Sequence, residues 1–174
     1  MTVTLTGPTL KTERLTLRLP QLSDFDAFAA FMATDRSRFV RSEDLDRRKA
    51  WRVFGHIVGH WPLRGFGSFV LDRDGTPIGA AGPWFPEGWP EHEFGWTLWS
   101  AEHEGHGYIV EAMSAILPYA WQTLGWTTAV SNIEPDNAAS IRTAERLGAT
   151  LDTTAKGPDD IDLVYRHRPG GFPQ

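Results

Sequence analysis

Residues 102–112 read EHEGHGYIVEA, and their types and spacing leave three kinds of chemistry open. His103 and His106 with the carboxylates of Glu102 and Glu104 offer metal ligands. Gly105 and Gly107, one residue apart before a helical-looking run, offer backbone amides to a phosphate. The plainest use is a tight turn whose glycines permit positive φ. The metal reading fails on spacing: the two imidazoles stand three apart around Glu104, whereas HExxH places them four apart on one helical face. His92 would join only if the fold brought it there, so no metal is expected. The phosphate reading gains from placement, because a helix start leaves unpaired N–H groups and the positive end of its macrodipole at one spot. Side chains at such a turn splay outward, so both acids are expected to face away from a bound phosphate.

A second concentration of chemistry is aromatic. Four of the eight tryptophans, Trp84, Trp89, Trp96 and Trp99, fall within sixteen residues. They suit a core or a subunit interface, since indole carries a large apolar area. They equally suit a pocket wall that holds an amine by cation–π contact. Exposed tryptophans in this stretch would mark a homodimer interface.

Composition narrows the classes. A chain of 174 residues fits a single domain, taken here as residues 1–174, with a core of useful size. The net charge of −5 argues against a broad grip on nucleic acid. No apolar run approaches the roughly 18 residues of a membrane span, so no membrane partner is expected. The opening residues lack the layout of a signal peptide, which makes a cytoplasmic address the expectation. There is no cysteine, which excludes disulfides, thiolate metal sites and an acetyl-cysteine intermediate.

The elements that must position these residues follow from periodicity. ERLTLRL (13–19) alternates like a half-buried strand. SDFDAFAAFMA (23–33) reads as a helix capped by Ser23, and the stretch 42–61 as a second helix capped by Ser42. FGSFVLD (66–72) and TPIGAAGPWF (76–85), joined by Asp74-Gly75, read as a hairpin, with HEFGWTLW (92–99) as the next strand. Apolar positions from 109 to 124 step by three and four, which predicts an amphipathic helix ending at Gly125 and bent by Pro118. Strand-like TTAVSNI (127–133), a short helix opened by Asp136 or Asn137 and stopped by Gly148, and strands over 149–155 and 161–167 complete the order. The expected class is α/β, with a mixed, mostly antiparallel central sheet flanked by helices.

FGWTLW (94–99), EGHGYIVEA (104–112) and IEPDNAASIRTAERLGA (133–149) occur in this order, between TERLTLRLPQLSD (12–24) and DLVYRH (162–167). On these segments the chain resembles the GNAT superfamily of N-acetyltransferases, in particular the branch that includes the ribosomal-protein N-terminal acetyltransferases. The resemblance implies a GNAT-like fold and acetyl-CoA as co-substrate. It implies that the Glu93–Trp99 strand, through Trp96 and Leu98, pairs its backbone with the pantetheine arm. It assigns the pyrophosphate to the loop Glu104, Gly105, His106, Gly107 and Tyr108, and a pantetheine hydrogen bond to Asn137, in the V between two diverging strands. Three positions depart from the pattern. Glu102 stands where many relatives carry Arg or Gln, Ala144 where many carry a catalytic tyrosine, and Ala149 where Phe is common.

Acetyl transfer to an amine needs a deprotonated nucleophile, donors for an oxyanion and an acid for the leaving thiolate. Without cysteine, direct attack within a ternary complex is the favoured route. Beside the coenzyme strand Glu93 is the candidate base, ahead of Glu91 and His92, with a solvated strand residue as its plain alternative. Glu111 is expected to be structural. Ser140 is the candidate acid, against the plain alternative of a serine bonded to helix backbone. Trp84 and Trp96 are expected to form an acceptor wall. The acceptor is expected to be an amine on a small molecule or a peptide; a catalytically silent acyl-CoA-binding protein on the same fold is the alternative.

Overall fold

The computed structural model describes residues 5–40 and 46–172. Its sheet has eight strands in the order β1-β2-β3-β4-β5-β6-β8-β7. Antiparallel neighbours run from β1 (Leu10–Lys11) through β2 (Thr16–Arg18), β3 (Phe69–Arg73) and β4 (Thr76–Trp84) to β5 (Glu93–Leu98). The far side is also antiparallel, with β6 (Ala129–Ile133) on β8 (Leu163–His167) and β8 on β7 (Thr150–Leu151). Between the halves β5 and β6 run parallel and pair at a single position, Glu93 opposite Val130. The expected class, mostly antiparallel and flanked by helices, is the one found.

Helix α1 (Phe25–Met32) and helix α2 (Arg47–Arg64) cover one face. Phe25, Phe28, Met32 and Phe54 pack there with Val70 and Trp99. Helix α3 (Tyr108–Gln122) covers the other, burying Ala112, Met113, Ile116 and Ala120 against Phe69, Leu71, Ala81 and Phe94. Its buried positions step by three and four as the sequence predicts, and the helix continues through Pro118. Helix α4 (Ala138–Arg146) sits over β6 and β8 through Ala144, against Ile133 and Tyr165. No helix among the described residues is long and apolar enough to cross a membrane.

Several boundaries differ from the sequence reading. The strand over 13–19 shrinks to Thr16–Arg18, and a turn in which Thr12 N–H donates to Leu15 O at 3.0 Å joins it to the short strand Leu10–Lys11 before it. Ser23 is not a cap: a 3-10 turn, Leu22–Asp24, precedes α1, and Gln21 N–H donates to the Asp24 carboxylate at 2.7 Å. Asp24 is almost fully buried and is gripped by both terminal nitrogens of Arg18 at 2.8 Å, while Arg18 Nε reaches Asp72 at 2.9 Å. A single arginine of β2 thus ties the foot of α1 to β3, and removing it would leave the buried Asp24 charge unpaired at a cost of about 3–5 kcal/mol. Ser42 lies outside the described residues. The cap of α2 is Asp46, whose carboxylate accepts from Lys49 N–H at 2.8 Å. The last helix opens on Asn137, and the strand over 149–155 shrinks to two residues.

Candidate active site

The parting of β5 and β6 makes the site. In a strand the N–H and C=O of one residue point to the same side, and successive residues alternate. Trp99 N–H donates to Ile78 O at 2.9 Å, so the odd-numbered residues of β5 serve β4. The even-numbered residues serve the β6 side, and His92 O accepts from Val130 N–H at 2.9 Å. Beyond that point the strands diverge and the edge is closed by side chains. Phe94 O accepts from Ser131 Oγ at 2.7 Å, and Leu98 O accepts from Arg36 Nη2 at 3.2 Å. Between these two stoppers lies Trp96, whose N–H and C=O face the open V.

This edge continues into a cleft of about 700 Å³. Trp96, Leu98, Gly105, Tyr108, Asn137 and Ser140 are among its walls. Gly105 and Gly107 hold φ of 76° and 78°, the left-handed region in which a Cβ is costly. Gly107 caps α3, so the first amides of that helix lack intrahelical acceptors. The loop is braced from behind. Arg14 Nη2 donates to His106 O at 3.0 Å, and its guanidinium lies 4.5 Å from the Tyr108 ring centroid. Glu111 accepts from Thr12 Oγ1 at 2.6 Å, Arg14 N–H at 2.7 Å and Arg14 Nε at 2.6 Å. Those bonds hold its carboxyl below the usual range, as fits a structural acid.

The expectation that both loop acids face away is half right. Glu102 is exposed, bonded to Ser100 Oγ at 3.1 Å, and lies off the cleft. Glu104 turns into the cleft and pairs with Arg36 at 2.6 Å. His106 is exposed, does not line the cleft, and stacks on Tyr108 with ring centroids 5.7 Å apart. Asn137 Oδ1 is committed to capping α4 through Ser140 N–H at 3.1 Å, which leaves Nδ2 as the group it can offer a ligand. Ser140 sits one turn into α4, partly exposed on the cleft wall.

At the apex of the V stands Glu93. The residue as a whole is partly exposed, but its carboxyl end is enclosed and accepts from Trp89 Nε1. Burial pushes this carboxyl above its ordinary range, against the opposing pull of Trp89 and Asn132. Asn132 lies beside it, close enough to act on the carboxyl, with Nδ2 and Oδ1 buried and making no hydrogen bond of good geometry among the described residues. Ser131, on the next position of β6, also meets His167 Nε2 at 3.0 Å. Because its hydroxyl proton goes to Phe94 O, the imidazole must donate from Nε2, and burial, which lowers its pKa to about 4, keeps the ring neutral. The rival candidates are otherwise engaged. Glu91 grips Arg166 at 2.7 and 2.9 Å, and His92 lies flat on Trp126 at 4.1 Å with its pKa lowered by burial.

Trp84 and Trp96 do not form one wall. Trp96 lies opposite Ala81, whereas Trp84 lies opposite Glu93, so the pleat sends the two indoles to opposite faces. Trp96 packs among residues of the α3 and α4 side. Trp84 stacks on His60 of α2, with centroids 4.5 Å apart, on the same face as Glu93. None of the four tryptophans between 84 and 99 is freely exposed; the exposed one is Trp51 of α2. Sequence reasoning also missed Arg36, Asn132 and the anchoring role of Trp89. DRSR (35–38) is a compact mixed-charge run between two predicted helices, and its basic residues were the available signal for Arg36.

A forked parallel strand pair opening onto a glycine loop at a helix start gives this α/β protein a free backbone edge and a helix N-terminus, a geometry suited to a long, phosphate-bearing ligand. Residues 14–150 match the acetyltransferase (GNAT) domain. An acetyltransferase from Agrobacterium tumefaciens is 40% identical over 97% of this chain and 98% of its own, with a TM-score of 0.86. The chain therefore belongs to the GNAT acetyltransferase family. The fold is shared with the ribosomal alpha-N-protein acetyltransferase RimL in complex with coenzyme A, at 16% identity, TM-score 0.73, and 92% and 98% of the two chains. It is shared also with the aminoglycoside acetyltransferase AAC(6')-Ib in complex with coenzyme A, at 16% identity, TM-score 0.75, and 90% and 96% coverage.

Proposed function

We propose that this chain moves an acetyl group from acetyl-CoA to a primary amine by direct attack in a ternary complex. The observation that carries the reading is the open edge of Trp96, bounded by the two occupied carbonyls and leading to the Gly105–Gly107 loop. An extended pantetheine arm would complete that edge as a missing strand does, with its diphosphate at the start of α3. Asn137 would offer its Nδ2 to the same arm. The oxyanion would be met by a backbone N–H of β5.

An alkylammonium with a pKa of roughly 10 has no lone pair to attack with. Glu93 stands at the apex as the base that removes its proton, directly or through water, and burial brings its carboxyl closer to working pH. The amine nitrogen then bonds to the acyl carbon and the carbon–sulfur bond breaks; Ser140 hands its hydroxyl proton to the departing thiolate and takes back the second proton that the nitrogen sheds on becoming an amide, so the one net proton leaves through Glu93. Trp84, on the Glu93 face, would border the acceptor. RimL and the aminoglycoside enzyme point to a peptide and a small-molecule acceptor respectively, so the acceptor class stays at "primary amine". A cytoplasmic address belongs to the same proposal.

The test is release of free thiol from acetyl-CoA in the presence of a panel of amines and peptides. Acceptor-dependent release with first-order dependence on enzyme is expected. Tight coenzyme binding without such release would assign the chain a silent acyl-CoA-binding role, the reading that Glu102 and the missing tyrosine at Ala144 favour.

A further inference from the structure

Arg36 has a job that its visible partners do not account for. It comes from the 3-10 segment Asp35–Val40 between α1 and α2, remote in sequence from the glycine loop. Its Nη2 bridges Leu98 O at 3.2 Å and Glu104 at 2.6 Å. Its Nε and Nη1 are buried, and neither has a hydrogen-bond partner among the described residues. A guanidinium is charged at any ordinary pH, and leaving its buried donors unpaired is costly. The side chain as a whole lines the cleft and keeps 27% of its surface open, so a small turn of the guanidinium would bring the orphaned donors to an acceptor bound there.

Its position says which acceptor. Leu98 is the last residue of β5, so Arg36 stands just past the strand edge that a pantetheine arm would follow. Glu104, its other partner, stands at the start of the turn into α3. Without Arg36 the Glu104 carboxylate would face a bound diphosphate unopposed. The other arginines along the cleft, Arg38, Arg142 and Arg146, are exposed, and Arg38 lies over the Phe39 ring at 4.4 Å and 3.9 Å from Asp136.

We propose that Arg36 is the diphosphate-binding side chain of this acetyltransferase, delivering from the α1–α2 connection the positive charge that position 102 lacks. In the ligand-free cleft Glu104 holds the guanidinium in place. Because that carboxylate is 62% exposed, it can yield to the phosphate oxygens and turn to water. The inference rests on the reading that an acyl-CoA occupies the cleft.

Calorimetry with CoA, 3′-dephospho-CoA and pantetheine tests it. For Arg36→Gln, CoA and 3′-dephospho-CoA should each bind about 10- to 100-fold more weakly, the worth of one or two hydrogen bonds to a charged group. Pantetheine, which carries no diphosphate, should compete equally well against both proteins. Equal affinity of variant and wild type for CoA, or an equal loss for pantetheine, overturns the proposal. If Arg36→Gln melts early, Arg36→Lys decides: it keeps the charge, and its CoA loss should be smaller but again absent for pantetheine. Failure of the wild-type protein to bind CoA would sink the function proposed above rather than the role of Arg36 alone.

Discussion

The two ends of the cleft are built on different principles. At the glycine loop the groups the turn itself offers are backbone amides, the conformation comes from φ of 76° and 78° at two glycines, and the intervening side chain, His106, is exposed. At the apex the working groups are side chains, Glu93, Trp89, Ser131, Asn132 and His167, brought together from three separate strands and loops. The loop spreads its effect over several equivalent amides, so no single substitution outside the glycines should disable it. The apex concentrates its chemistry in single atoms whose surroundings set their protonation. Large effects and pH dependence should therefore belong to the apex, and modest, salt-sensitive effects to the loop.

The sharpest way to break this comparison is Glu93→Gln, which keeps shape and removes basicity. Loss of a general base is worth about 10²- to 10⁴-fold. We expect kcat/KM to fall by that range while the CoA Kd stays within about twofold, the spread of a change that leaves the loop intact. The wild-type profile should fall on the acid side as Glu93 takes up a proton, at a pH above the ordinary carboxylate range, because its pKa is raised by burial. The variant should lack that limb. A variant with full activity and the same acid limb would return Glu93 to a structural residue.

The second test concerns stability at the apex. Burial lowers the His167 pKa to about 4, below its ordinary value. A depressed folded pKa means that the unfolded chain binds the proton first. The contribution is therefore fully present above about pH 6.5, is lost as pH falls, and levels off near pH 4. The loss should approach about 3 kcal/mol for one such group. Melting temperatures between pH 7 and pH 4.5 should fall less steeply for His167→Gln than for wild type. Some slope should survive, since His60 and His92 are shifted in the same direction. Parallel slopes would show that the imidazole is not held neutral.

How much of this was legible in the sequence follows the same division. The loop is local: Gly105, Gly107 and the start of α3 are contiguous, so glycine spacing and apolar periodicity are enough to place them. The apex is not local. Ser131 meets Phe94 and His167 across 37 and 36 residues, and no spacing rule announces such a meeting. Trp84 and Trp96 are misjudged together because the tryptophan density says nothing of register, and one residue of register moves a side chain to the other face. The helix starts were misplaced because a 3-10 turn, Leu22–Asp24, takes up the residues before α1, and because the carboxylate that caps α2 belongs to Asp46, well inside the stretch read as helix. The α3 stripe, by contrast, was read closely, because fifteen residues of periodicity outvote one proline.

At the loop, Gly107→Val should cost roughly 1–2 kcal/mol, since an L-residue is forced into the left-handed region. That corresponds to a melting temperature lower by about 2–8 °C. The CoA Kd should weaken about 10-fold, the worth of one displaced hydrogen bond to a charged group, with little change in kcat at saturation. A collapse of kcat with an unchanged Kd would mean that the loop acts on the chemistry and not on binding.

The smallest effect should come from Glu102→Arg, although this restores the residue type that many relatives carry. The side chain is 75% exposed, touches Ser100 and His103, and stays off the cleft. It can act on a bound phosphate only through space, near a helix start, where a charge is worth about 0.3–1 kcal/mol at low ionic strength. We expect CoA to bind about two- to fivefold tighter in dilute buffer, which is that energy expressed as a ratio. The gain should vanish by about 1 M salt, where the screening length falls to roughly 3 Å. Arg36→Gln should lose far more than Glu102→Arg gains, because the Arg36 side chain is mostly enclosed in the cleft wall, whereas an arginine at position 102 would be solvated. A gain from position 102 that survives high salt would reverse this ranking and place the phosphate on the Glu102 side of the loop. Weaker binding in dilute buffer would instead show that the Glu102–Ser100 bond is part of what shapes the turn.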